Sequence, residues 1–278
     1  MNDLTKRFVI HSFSMFAILS MSMILSACSS TPIQENLSAD QRFELGKAKF
    51  DKKEYIEAIT DFETVRLQFP GSSLADKAQY YLGECHFMEE EYVLAAEEYH
   101  TLKRNMPAST LVPDAQYKIA LCYYNLAPKS TLDQLYTLRA IEELQTFVEY
   151  YPKHERVTDA EAKINELNTR LAKKLYDSAQ LYMKINYYKA AAIYFGAVVE
   201  KYHDTQYAEP AHLGKVQALV ARKKFQDAKS EIEKFLEHYP RSTQHSDAEN
   251  LLQEINQHLK IHSMQIQLTV PEISELLS

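Results

Sequence analysis

The 278-residue chain contains no tryptophan, only five glycines, nine prolines and three cysteines. So little glycine argues against a β-rich fold of this length, which needs many turn glycines and a period-two alternation that is absent before the last residues. The same scarcity makes a phosphate-cradling glycine loop or a strained serine elbow hard to build, and neither motif is found. No two-histidine zinc helix occurs. The best metal-like spacing is His258 with His262, which reads as a solvated helix end because no third ligand lies near it in sequence. Catalysis, cofactors and metals are therefore not expected.

Long apolar runs are missing too, except at the start. Lys6 and Arg7 precede an apolar stretch from about Phe13 to Leu25, the layout of a secretory signal and too short for a comfortable permanent span. It closes on Leu25, Ser26, Ala27 and Cys28, the pattern read by a lipoprotein signal peptidase. Cleavage would leave residues 28–278, with N-acyl and S-diacylglycerol chains on Cys28 forming a durable anchor. Ser29, not aspartate, follows the cysteine, so default sorting would be to the outer membrane. Removing residues 1–27 takes Lys6, Arg7 and Asp3 from totals of 31 basic and 38 acidic residues, leaving 29 and 37 and a net charge of −8. Nucleic acid is an unfavourable partner for such a chain.

What is present is a repeat. Leu45-Gly46 recurs as Leu82-Gly83 and as Ile119-Ala120 in steps of 37 residues. Gly46 is followed by Ala58, Phe62, Val65 and Pro70, and Gly83 by Ala95, Tyr99, Leu102 and Pro107 at the same offsets. Small residues let two antiparallel helices approach, the four- and three-residue steps form one buried stripe, and proline ends the unit. These are tetratricopeptide offsets. Ala140, Leu144, Phe147 and Pro152 make a third unit, delayed by eight residues inserted near Ala127 to Tyr136. A fourth carries Ala179, Ala191, Phe195 and Val198, with His203 in place of proline, and a fifth carries Val216, Ala228, Ile232, Phe235 and Pro240.

The expected architecture is an all-α solenoid of five helix pairs, with repeats near 39–72, 76–109, 113–154, 172–205 and 209–242. A tether over 28–38 precedes it and a capping helix over 246–260 closes it. Thr158 reads as the N-cap of one long helix running through Met183 into the fourth unit. The tail 261–278, alternating at Met264, Ile266, Leu268 and Val270, reads as a short strand, a partner-dependent segment or disorder. Cys85 and Cys122, at equivalent repeat positions, read as buried thiols in preference to a bridge. The acidic run Glu89 to Glu91 reads as a solvated turn.

Side chains three positions before each small residue point into the groove of such arrays: Phe43, Tyr80 and Tyr117. Lys47, Glu84 and Leu121 follow one turn on, then Phe50, Phe87 and Tyr124, which also suit packing between helices. An aromatic-lined groove with an opposed Lys47 and Glu84 would take a peptide with aromatic side chains. In the interhelix turns of repeats four and five, Tyr187, Tyr188, Arg222 and Lys223 are candidates for a second contact.

The lipobox, the first repeat FELGKAKFDKKEYIEAITDFETVRLQFPGS, the insertion followed by LRAIEELQTFVEYYP, and RLAKKLYDSAQLYMKINYYKAAAIYFGAVVEKYHDT together resemble the BamD family. These are lipoprotein subunits of the bacterial β-barrel assembly machine. The resemblance runs from about Leu37 to Leu252; the tail after Leu259 has no counterpart there. It implies an outer-membrane scaffold whose C-terminal repeats dock on the POTRA domains of the barrel subunit BamA. Its N-terminal repeats would receive unfolded outer membrane proteins through a C-terminal signal ending in an aromatic residue, and other lipoproteins of the machine are further partners. The runner-up is another repeat lipoprotein adaptor, pilotin-like for a secretin or pilus, or a cell-envelope coordinator.

Overall fold

A computed structural model describes residues 37–276; the signal segment, Cys28 and nearly all of the tether lie outside them. Eleven helices and no strands occur among the described residues. Five antiparallel pairs are α1 (Ala39–Asp51) with α2 (Tyr55–Gln68), α3 (Ala75–Met88) with α4 (Tyr92–Asn105), α5 (Val112–Leu126) with α6 (Leu135–Tyr150), α7 (Val157–Lys184) with α8 (Tyr188–Lys201), and α9 (Ala208–Ala221) with α10 (Phe225–His238). The closing helix is α11 (His245–Leu276). Each helix packs on its chain neighbours, and the main further contact joins α7 to α9. No described helix is long and apolar enough to cross a membrane.

The predicted stripes form the core. Ala58, Ala95, Ala140, Ala191 and Ala228 are fully buried, as are Phe62, Tyr99, Phe147 and Phe235, with Phe195 nearly so. The small residues work as read: a Cβ on Gly83 would lie 2.6 Å from the Tyr99 ring, and one on Gly46 3.0 Å from Phe62. Cys85 and Cys122 are buried free thiols. Burial pushes each thiol up to about 12, well away from reactivity.

Turns within pairs share one device. Lys53, Glu90, Asn186 and Lys223 have φ near +60°, and the residue after each donates its N–H five residues back, as in Glu54 N to Lys49 O at 3.0 Å and Lys224 N to Leu219 O at 2.9 Å. This is the Schellman closure, here without glycine. Between pairs, Ser72, Ser109 and Ser242 accept a hydrogen bond from the backbone N–H two residues on, at 3.2, 3.2 and 2.9 Å.

Three boundaries differ from the sequence expectation. Ser38, placed in the tether, caps α1 in a reciprocal box with Gln41. Thr158 lies inside α7, whose cap position is Arg156 with no capping side chain; the Arg156 N–H is instead accepted by His154 Nδ1 at 3.3 Å. The tail is not a strand: α11 runs unbroken from His245 to Leu276. Its period-two residues also repeat every four positions, a spacing that helix geometry satisfies equally.

The insertion is an ordered loop from Ala127 to Gln134. Arg170 on α7 donates to the carbonyls of Ala127 and Pro128 at 2.9 and 3.1 Å, and Lys174 to that of Leu132 at 2.6 Å. From within, buried Gln134 donates to Lys129 O and Leu132 O, both at 2.9 Å.

Candidate functional site

The first helices of repeats one to three and the start of α7 meet along one face, and polar groups join them. Lys118 on α5 donates to Glu84 on α3 at 2.8 Å, and Glu84 also accepts from the Tyr99 hydroxyl at 2.5 Å. The Lys118 ammonium lies 4.6 Å from the Phe87 ring centre. Farther along, Tyr117 donates to Asp159 and Tyr124 donates to Glu166 at 2.6 Å. Burial and the Asp159 hydrogen bond raise the Tyr117 hydroxyl well above its usual range, while the Glu166 hydrogen bond and burial push Tyr124 up to about 12. Burial alone raises the Asp159 carboxyl, but hydrogen bonds from Tyr117 and Lys163 bring it below the usual range.

The aromatic side chains sit deeper than the sequence reading placed them. Phe43 is buried, packed edge-on to Phe62 at 5.5 Å and to Tyr81 at 5.8 Å. Tyr117 is buried against Phe147 at 5.2 Å, and half-buried Tyr80 leans on Tyr99 at 5.5 Å. Phe50 packs on Tyr55 and Tyr81 at 5.3 Å, Phe87 on Tyr92. These rings therefore bind the helices together, because Phe43, Tyr80 and Tyr117 each reach the stripe aromatic of the next helix. Lys47 and Glu84 are not opposed: Lys47 pairs with Asp51 on its own helix, and Glu84 takes Lys118.

What this face offers a ligand is charge beside a rim of apolar surface. An open recess of about 430 Å3 is lined by Tyr117, Leu121, Glu155, Arg156, Asp159 and Lys163. Arg156 stacks over the Tyr117 ring at 5.2 Å and Lys163 over Tyr124 at 5.0 Å. Lys163 is held by Asp159 at 3.1 Å, whereas Arg156 has only loose contacts, about 4 Å, to Asp114 and Glu155. A stacked, lightly paired guanidinium next to Leu121 suits a carboxylate carried beside an apolar side chain. Arg156 and Lys163 escaped the sequence reading because they precede the fourth repeat in a helix treated as a linker.

A second set of residues was also missed. Arg42 donates to Asp61 at 3.0 Å, Gln79 to Glu98 at 2.5 Å and Gln116 to Glu143 at 2.7 Å, while His212 Nε2 lies 3.4 Å from Glu231. Each pair joins the two helices of one repeat, and its first member stands four residues before Gly46, Gly83, Ala120 or Val216. In the fourth repeat, Leu175 and Tyr194 occupy those places. Asp61, buried beside both Arg42 and Lys49, is the most enclosed charge of the set.

Tyr187 and Tyr188 begin α8, Tyr187 largely exposed and Tyr188 donating to Asn186 at 2.6 Å. Arg222 and Lys223 follow α9 in the turn to α10. All four lie at the edge formed by the within-pair turns. The Glu91 carboxylate, from the acidic run, lies 2.7 Å from His86 Nδ1 at the end of α3. His258 stacks on Phe225 at 4.5 Å; the His262 side chain lies outside the described set, and no metal-binding cluster occurs among the described residues.

Solved structures similar to this chain include tetratricopeptide repeat proteins. The TPR2AB domain of yeast Sti1, in its pHSP90 complex, is 14% identical with a TM-score of 0.40, over 80% of this chain and 87% of that one. TTC0263, a thermophilic TPR protein of Thermus thermophilus, is 15% identical with a TM-score of 0.34, over 80% of this chain and 99% of that one. No curated protein is a significant sequence match. The family model described as outer membrane lipoprotein, YfiO, matches residues 35–222, from three residues before the cap of α1 to the first residue after α9. The chain therefore belongs to the YfiO, or BamD, family of outer membrane lipoproteins.

Proposed function

We propose that this chain is a non-catalytic, lipid-anchored scaffold of the machine that folds and inserts β-barrel proteins into the outer membrane. The observation that carries the reading is family membership across four of the five repeats. Lipid on Cys28 holds the array at the periplasmic face of the outer membrane, where its net negative charge disfavours nucleic acid. The edge of repeats four and five, with Tyr187, Tyr188, Arg222 and Lys223, docks on the POTRA domains of a BamA-like subunit. Lipoproteins of the same machine are further candidate partners. The face of repeats one to three receives segments of unfolded outer membrane proteins. Lys47, Tyr80, Leu121, Tyr124, Arg156 and Lys163 are the groups nearest such a segment, while Phe43, Glu84 and Tyr117 shape the face from beneath.

Affinity purification of the full-length lipoprotein from detergent-solubilised envelopes, with its stoichiometric partners identified by mass spectrometry, tests the reading. A POTRA-bearing barrel protein is the expected partner. Recovery of a secretin or pilus component in its place would leave the fold and family standing and overturn the function.

A further inference from the structure

The chain contains the same corner twice. Phe147, Tyr151-Pro152, Ala160, Leu167 and Leu171 recur 88 residues later as Phe235, Tyr239-Pro240, Ala248, Ile255 and Leu259. Burial matches as well, since Phe147, Phe235, Ala160, Ala248, Leu167 and Ile255 are all fully enclosed. In both copies a long helix packs on the second helix of a repeat, α7 on α6 and α11 on α10, and runs alongside that repeat's within-pair turn. Each arrangement forms a corner between a turn and a helical wall.

The two corners differ in what their own turn supplies. At the third repeat the turn has eight residues, Ala127 to Gln134, and lies against the wall. Arg170 and Lys174 take its carbonyls, and Asp133 accepts the Leu135 N–H of α6 at 2.9 Å. At the fifth repeat the turn has three residues, Arg222 to Lys224, and cannot reach across. An open recess of about 260 Å3 remains, lined by Lys223, Lys224, Phe225, Gln226, Asp227 and Leu259. The first turn of α10 has no capping side chain, leaving backbone donors at its rim. Lys223 and Lys224 form no ion pair with a described residue, and Asp227 is the one acidic group in the lining.

We infer that this recess is a docking site for an extended segment of a partner chain, which takes the place that the 127–134 loop takes at the third repeat. The segment carries a carboxylate for Lys223, Lys224 and the start of α10, as Asp133 serves α6, and an apolar side chain for Phe225 and Leu259. The inference rests on the docking reading only in taking its occupant from a partner chain. It specifies a mode of recognition, loop into corner, that the nominated edge residues alone do not.

A photoreactive p-benzoyl-phenylalanine placed at Gln226 of the full-length lipoprotein in intact envelopes tests it. The expected result is cross-linking to one contiguous, non-helical partner segment holding an aspartate or glutamate beside an apolar residue. The Lys223→Glu, Lys224→Glu variant, altered only at exposed side chains, should lower the yield about tenfold. Cross-links spread over several segments, cross-links to a second copy of this chain, or a yield unmoved by charge reversal would each overturn it. A purification that lacks a POTRA-bearing protein while a single extended segment is still captured removes the proposed function and leaves this inference intact.

Discussion

Replacing Gly83 by alanine sets two effects of opposite sign against each other. Alanine in a helix interior is favoured over glycine by about 1 kcal/mol. The new methyl, however, would stand 2.6 to 2.8 Å from three atoms of the Tyr99 ring, closer than real contacts allow. Tyr99 cannot yield cheaply: it is fully buried, leans on Tyr80 and is held by Glu84 through its hydroxyl at 2.5 Å. Overpacking of this kind costs about 1–3 kcal/mol, and displacing the hydroxyl from a carboxylate adds about 1.5–3 kcal/mol. Clash wins, and we expect Gly83→Ala to destabilise by about 1.5–5 kcal/mol after the helix gain. Gly196→Ala in α8 is the control, because its methyl would meet nothing nearer than Lys215 Cε at 3.7 Å; it should stabilise by about 0.5–1 kcal/mol. Urea titration of the full chain in detergent, followed by helical circular dichroism, reads both midpoints without requiring two-state behaviour of a repeat array. Adding Tyr99→Leu to Gly83→Ala should recover stability, giving a coupling above about 1 kcal/mol. A Gly83→Ala protein as stable as Gly196→Ala would refute the packing argument.

Other expectations follow from the rungs, turns and insertion. Burial lowers the pKa of His212, outweighing the pull of Glu231, and Lys215 lowers it further. The unfolded chain then binds the proton first, so stability contributed here is full above about pH 6.5 and falls as pH drops toward the folded value. His212→Gln, copying the rungs of Gln79 and Gln116, should flatten the pH dependence of the unfolding midpoint below pH 6.5; an unchanged slope would exclude the rung as its source. Lys53→Gly, Glu90→Gly and Lys223→Gly relieve left-handed backbone and should each raise stability by about 1 kcal/mol, whereas Asn186→Gly should gain less; losses in the first three would contradict the turn geometry. Arg170→Ala frees the carbonyls of Ala127 and Pro128, so limited trypsin digestion should accelerate at Lys129 without a matching fall in the unfolding midpoint. Equal cleavage rates would show that the other anchors suffice.

The helix pairs were legible because each repeat writes the same physical demand at the same offset: a small residue, a buried stripe, a stop. The long helix was legible from an absence of breakers between Thr158 and Met183. The strand reading of the tail failed because four alternating apolar residues satisfy a strand and a helix alike. The groove was half legible. Position told which residues share a face but not how deep they sit, since ring depth depends on the neighbouring helix: Phe43 and Tyr117 reach Phe62 and Phe147. The rungs carried a signal that went unused, a constant separation of 19 residues from Arg42 to Asp61, Gln79 to Glu98 and His212 to Glu231, widened by the eight-residue insertion between Gln116 and Glu143. Their side chains differ in charge and shape, so only the spacing repeats. Arg156 and the recess beside Leu259 depend on where a long helix begins and which turn it passes, which no local pattern encodes.

Helix α7, 28 residues long, is a strut of about 42 Å. Its first half closes the third repeat through Ala160 and Leu167, and its second half opens the fourth through Ala172 and Ala179, all four fully buried. The insertion grips its middle at Arg170 and Lys174. A rod clamped at both ends and at its centre fixes the spacing between the two half-arrays as a ruler would. Whatever is held on the first three repeats and whatever is held on the last two are then kept at a set distance and bearing, so a pull on one end turns the other as a lever arm.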